Sequence, residues 1–222
     1  GVTRFSKLSV FSGLNNLNDI SMDDEYAGIC GITEEELEVC FKDEIQALAE
    51  KKGMTYQDTM ALLQSKYDGY HFTEDSIGIY NPFSLLNCLK ARSFDNYWFI
   101  TGTPSYLVKI LQDSDYELEE FSRISVSKNY LSDIDAAFST PIPLLYQSGY
   151  LTIKGRDRYG MLLVDFPNLE VKDSFLEYLL PYYLKKDQAK AKNHVLRMVY
   201  AVEAGDPDEM LELLRSVYAG VP

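Results

Sequence analysis

"PIPLLYQSGYLTIKGRDRYGMLLVDFPN", residues 141–168, is the stretch whose reading decides the fold. Its apolar residues open in a short block closed by Gly149, then recur in two β-prone runs, Leu151–Lys154 and Met161–Phe166. A polar turn with three cations, Lys154, Arg156 and Arg158, joins the runs. Short runs rich in Leu, Ile, Val and Phe, bounded by glycine, are strand signals, and a tight turn between two of them predicts a hairpin. The next stretch, "NLEVKDSFLEYLLPYYL", opens with Asn168 in the position of a helix N-cap.

Helix, two-stranded wing and helix together outline a winged-helix module, expected over residues 116–185. Its core is expected to include Leu144, Leu145, Tyr150, Leu162, Phe175 and Leu179. Two more helices are predicted after it, at about 188–204 and 207–218, the second opened by Asp206-Pro207. Upstream, "GITEEELEVCFKDEIQALAEKKG" predicts a helix with Thr33 as N-cap, Glu36 completing a capping box and Gly53 as the stop. Leu37, Cys40, Phe41, Ile45 and Leu48 form its apolar face. Thr55 and Asp58 open the next helix, with Gly69 beyond its end. Tyr70–Phe72 and Ile77–Tyr80 read as a small hairpin, and Asn81-Pro82 starts another helix. Thr103-Pro104 repeats that start signal towards Leu111. Trp98, the only tryptophan, is expected to anchor packing between these helices. The fold class read from this pattern is mainly α (α+β): a helical bundle followed by a winged-helix module with a small β-hairpin.

The composition limits what such a chain can do. Of 222 residues, 46% are hydrophobic, enough for a sizeable core, and the formal net charge is -13. An acidic surface repels phosphate backbones, so nucleic acid is not an expected partner. Three cysteines without a CxxC pair argue against a disulfide framework and point to a reducing compartment, read as the cytoplasm. No apolar run is long enough to span a membrane. The two histidines, His71 and His194, are far apart in sequence, so a Cys/His metal site has weak support; His71 reads as structural and His194 as a surface or packing residue. There is no G-x-x-x-x-G-K-[ST], G-x-G-x-x-G or HExxH, and no catalytic residue is assigned. The cations of the 154–158 turn read as an ordinary solvated hairpin; the competing reading is a DNA-contacting wing.

Several stretches, in order, resemble the AAA-ATPase-like family of bacterial P-loop proteins: "GVTRFSKLSVFSGLNNLNDIS", "YDGYHF", "IYNPFSLLNCL", "NYWFITGTPSYLV", "LLYQSGYLTIKG" and "FPNLEVKDSFLEYLL". The resemblance implies that residues 1–22 are the tail end of an ATPase core and 23–115 a helical lid. Residues 116–185 would then be the winged-helix module, and 186–222 a helical connector to a C-terminal domain. It further implies a parent protein with a P-loop core before Gly1, often with a PD-(D/E)XK nuclease-like domain after the connector. ATP and magnesium would be cofactors of that parent, with none expected for this chain alone.

The same resemblance implies the candidate cofactor-binding residues. Thr3 and Arg4 sit where the strand after Walker B ends, a place from which a cation stabilises charge on the γ-phosphate. A solvated loop arginine explains Arg4 equally well. Gly102, Thr103 and Pro104 resemble the GxP turn that packs beside adenine, although a plain helix cap accounts for the same residues. The expected function is that of a lid and winged-helix portion which gates nucleotide and relays its state in the parent. The alternative is a self-contained winged-helix module for protein interaction or DNA binding.

Overall fold

The computed structural model describes residues 20, 22–98, 111, 123–131, 141–184 and 188–218. The protein is mainly helical with one small sheet, an α+β fold: nine α-helices and three strands lie among the described residues. The chain divides into two compact units, Gly1–Lys172 and Asp173–Pro222.

In the first unit a 3-10 turn at Asp24–Tyr26 leads to α1, Glu34–Cys40. The predicted capping box is present: Glu36 N–H donates to Thr33 Oγ1 at 3.2 Å, and Thr33 N–H donates to Glu36 Oε2 at 2.9 Å. The helix expected to run on to Lys52 instead breaks at Phe41 (φ -124°, ψ 20°) and restarts as α2, Lys42–Lys52. The break leaves Cys40 exposed, whereas Leu37, Ile45 and Leu48 are fully buried as expected. Gly53 ends α2 in the left-handed conformation. Helix α3, Tyr56–Tyr67, is capped by Thr55, which accepts from Asp58 N–H at 3.1 Å. Helix α4, Pro82–Ala91, is capped by Asn81, which accepts from the N–H groups of Phe83 and Ser84. Together these helices bury Leu37, Ile45, Leu48, Leu63, Tyr67, Tyr80, Leu85 and Cys88 in one core.

Between α3 and α4 the predicted hairpin is reduced to a single antiparallel bridge, Tyr70↔Ile79. Tyr80, whose backbone groups face the side opposite to those of Ile79, pairs with the distant Ile32. Beyond the bridge the loop is closed through Ser76: Thr73 N–H donates to Ser76 Oγ at 3.3 Å, and His71 Nδ1 lies 2.8 Å from the Ser76 carbonyl.

The sheet comprises β1, Ile124–Val126, β2, Thr152–Arg156, and β3, Leu162–Asp165, in the order β1-β3-β2, all antiparallel. Strands β2 and β3 pair through Ile153↔Val164 and Arg156↔Leu162, so the expected hairpin is formed. Two short helices, α5, Lys128–Leu131, and α6, Pro141–Gln147, lie between β1 and β2 in sequence. After β3, Asn168 caps α7, Leu169–Leu184, by accepting from Val171 N–H at 3.1 Å. Of the six core residues named above, five are buried; Leu144 is half-buried.

The second unit begins inside α7 and continues as α8, Gln188–Ala204, and α9, Pro207–Tyr218. Asp206 caps α9 by accepting from Glu209 N–H, and Arg197 pairs with Glu209 to fasten the two helices.

Candidate functional site

The joint between the α1–α4 segment and the β-hairpin gathers several of the polar and aromatic residues singled out in sequence, among them Tyr70, His71, Trp98, Tyr150, Lys154 and Asn168. It begins where α3 ends. Gly69 has φ +98°, and a Cβ there would lie 2.3 Å from the Pro167 carbonyl oxygen. Only glycine lets the two backbones approach so closely. On one side of this contact, Asn168 Nδ2 donates to the Asp68 carbonyl at 3.0 Å. On the other, the Lys154 ammonium donates to the carbonyls of Gly69 (2.9 Å) and Pro167 (2.8 Å). Lys154 gets there because β2 carries a bulge between Ile153 and Gly155, which re-aims the side chain off the strand face. His71 and Thr152 form a reciprocal pair: His71 N–H donates to Thr152 Oγ1, which donates back to the His71 carbonyl, both at 2.8 Å. The Tyr70 hydroxyl donates to the Gly149 carbonyl at 3.2 Å.

A second set of contacts ties the Ser93–Trp98 crossing to α7. Glu170, fully buried in the first turn of α7, accepts from the N–H groups of Tyr97 (2.5 Å) and Trp98 (3.0 Å). Trp98 meets Tyr150 edge-on, with ring centroids 4.7 Å apart. The Tyr67 hydroxyl donates to the Asp95 carbonyl at 2.8 Å and accepts from Asp95 N–H at 3.1 Å.

Burial sets the electrostatics of the joint. It pushes the Asp68 and Glu170 carboxyls above their ordinary range; the Gly69 N–H, His71 and Lys154 oppose the shift at Asp68, and Ser84, Trp98 and Tyr97 oppose it at Glu170. Burial likewise lowers the Lys154 ammonium, against the pull of Asp165 and Asp68.

A cavity of ≈ 660 Å³ opens beside the joint, walled by Tyr26, Tyr70, Trp98, Tyr146 and Leu151, with Asn81 and Gln147 among its polar residues. No lysine, arginine, aspartate or glutamate is among its described lining residues. Such a wall suits apolar surface and offers no charge to a phosphate group.

The sequence-derived nucleotide residues Thr3, Arg4, Gly102, Thr103 and Pro104 lie outside the described residues. The wing cations are seen and are engaged within the chain. Lys154 binds carbonyls as above, Arg156 pairs with Glu74, and Arg158 lies over the Tyr159 ring with its guanidinium carbon 4.7 Å from the centroid. The His71 Nδ1 lies 2.8 Å from the Ser76 carbonyl. Glu170 was not singled out in sequence; its place in the first turn of a helix capped by Asn168 was the signal available. No group of His, Cys, Asp and Glu that could hold a metal occurs among the described residues. Among them, too, no helix is long and apolar enough to cross a membrane.

The fold and the joint define an α+β protein whose polar sequence signatures serve one internal junction. No family model matches the chain, and no solved structure matches it. It is similar to an uncharacterized protein in the vnfD 5' region of Azotobacter chroococcum mcd 1, at 34% identity over 225 residues. That alignment takes in 100% of this chain and 41% of the Azotobacter protein, so the chain spans about two fifths of its relative's length.

Proposed function

We propose that residues 1–222 are the lid and winged-helix portion of an AAA-ATPase-like protein, gating ATP and relaying its state in the complete gene product. One observation carries this reading. Pieces of five separated stretches that resemble the family, "YDGYHF", "IYNPFSLLNCL", "NYWF", "LLYQSGYLTIKG" and "FPNLEVKD", meet at the single joint described above. A joint that fixes two segments as one body is what a relay needs, since motion imposed on one is then passed to the other. The order strand, helix, helix, strand, turn, strand in residues 124–165 is compatible with a winged helix. The engagement of Lys154 and Arg156 within the chain favours a packing role over DNA reading, because phosphate contacts require free cations.

In this reading the β- and γ-phosphates are held by a P-loop encoded ahead of Gly1. The complete gene product is expected to carry G-x-x-x-x-G-K-[ST] there and to bind ATP with magnesium, measured by titration calorimetry. Residues 1–222 alone are expected not to bind ATP tightly, because the groups that cradle its phosphates are elsewhere. Absence of a P-loop upstream, or micromolar ATP binding by residues 1–222, overturns the proposal.

A further inference from the structure

The cavity beside the joint, at ≈ 660 Å³, falls within the size range of small-molecule sites, about 300–1,000 Å³. Every described residue that lines it belongs to the first unit. Its wall is rich in rings. Tyr70 and Trp98 come together at Gly149, where a Cβ would lie 3.6 Å from the Trp98 ring and 3.8 Å from the Tyr70 ring. Tyr26, Phe72 and Tyr146 add three more. Stacked or edge-on contact between rings adds to the gain from burying apolar area, so this wall favours an aromatic guest over an aliphatic one.

Two of the rings are already held in place. The Tyr70 hydroxyl donates to the Gly149 carbonyl, while Trp98 packs edge-on against Tyr150 and gives its backbone N–H to Glu170. A guest that meets fixed side chains loses little affinity to ordering them. Ile29 and Tyr26, also on the wall, are exposed, so the apolar lining continues to the surface. The lining equally defines what is kept out. No lysine, arginine, aspartate or glutamate is among its described residues, and a charged guest would give up water there without gaining a counter-ion.

We propose that this cavity is a binding site for an uncharged aromatic small molecule. The site stands apart from the nucleotide function proposed above and does not depend on it. Two reporters are built into its wall: Trp98, the only tryptophan, and the exposed Cys30. Cys40 is also exposed and is not among the described lining residues, so it serves as the internal reference.

The test uses the 222-residue chain and two probes: benzophenone, two rings without charge, and 4-benzoylbenzoate, the same rings with a carboxylate. At about pH 8 the histidine on the wall is neutral and the carboxylate ionised. Titration calorimetry is expected to show saturable binding of benzophenone, about tenfold or more tighter than 4-benzoylbenzoate. Saturating benzophenone is expected to shift Trp98 emission and to slow alkylation of Cys30 by iodoacetamide about fivefold or more, with Cys40 unchanged. Tyr26→Ala, which removes one exposed ring, is expected to weaken benzophenone about fivefold at an unchanged urea midpoint.

Absence of saturable binding, equal affinity for the two probes, or equal slowing of the two cysteines overturns the proposal. So does a Cys30 that reacts far more slowly than Cys40 without any probe while benzophenone is not taken up, since protein then fills the space. An unchanged affinity in folded Tyr26→Ala places the probe elsewhere and has the same consequence. If Tyr26→Ala does not fold, the comparisons on the wild-type chain decide alone.

Discussion

Gly69 has less room for change than any other glycine at the joint. A methyl group would enter the Pro167 carbonyl at 2.3 Å and lie 3.0 Å from the Lys154 ammonium, on a backbone with φ +98°. Gly69→Ala is therefore expected to destabilise the folded chain by about 2 kcal/mol or more, against about 1 kcal/mol for Gly53→Ala, where the backbone is strained and nothing lies nearby. Urea unfolding measures this; a loss no greater than that of Gly53→Ala would mean the joint yields. Asp68, next to it, gives a pH test. Burial raises its folded-state pKa, so the folded chain holds that proton more tightly than the unfolded one. Its contribution to stability therefore falls as pH rises through the folded pKa, and is most favourable in acid. Between about pH 4 and pH 7, Asp68→Asn is expected to gain stability relative to wild type as pH rises. The opposite slope would show that Lys154 and His71 outweigh burial. Gly69 was legible in sequence only as a helix stop. That it touches Pro167, nearly a hundred residues on, is a long-range contact that no local pattern carries.

Helix starts were legible because they are local chemistry. Thr33, Thr55, Asn81, Asn168 and Asp206 each accept from a backbone N–H two or three residues on, as their side chains dictate. Asn81→Ala is expected to cost about 1 kcal/mol, seen as a lower urea midpoint with unchanged m-value, because two N–H groups lose their acceptor. The break at Phe41 was not legible. Cys40, Phe41 and Lys42 contain no glycine or proline, and the apolar spacing fits one unbroken helix. The hairpin at Tyr70–Tyr80 shrank to one bridge, and the partners of its edges were not legible either: His71 is bonded through its backbone to Thr152 and Tyr80 to Ile32, partners found only once the chain has folded back. The Leu151–Phe166 hairpin succeeded because its strands, its turn and its partner are contiguous. Its bulge at Lys154 was hidden, and with it the fact that one apparent wing cation binds backbone carbonyls.

At the scale of the whole molecule, a formal net charge of -13 and the internal engagement of Lys154 and Arg156 predict weak binding to DNA. Titration onto duplex DNA at about 150 mM salt, where the Debye length is about 8 Å, is expected to show no sub-micromolar affinity. Sub-micromolar binding abolished by Arg156→Ala with Arg158→Ala would restore the DNA-binding alternative. The expected domain boundaries at 115/116 and 185/186 fall outside the described residues, as do Thr3, Arg4 and the Gly102-Thr103-Pro104 turn. The candidate site was therefore legible as a set of ordered stretches. Their meeting point, and the buried Glu170 within it, came only from the fold.

Cys88 turns the core of the first unit into a clock. Cys30 and Cys40 are exposed, whereas Cys88, a residue of α4, is fully buried, and burial, foremost, pushes its thiol up to about 11. A thiol-reactive reagent at neutral pH therefore meets two ready sulfurs and one that is both shielded and protonated. Two labels are expected to add within the dead time of mixing and the third to follow a rate set by how often the helices part. Because each 1.4 kcal/mol of opening free energy is about a tenfold delay, counting masses over time converts that lag directly into the stability of the core around Tyr67 and Leu85.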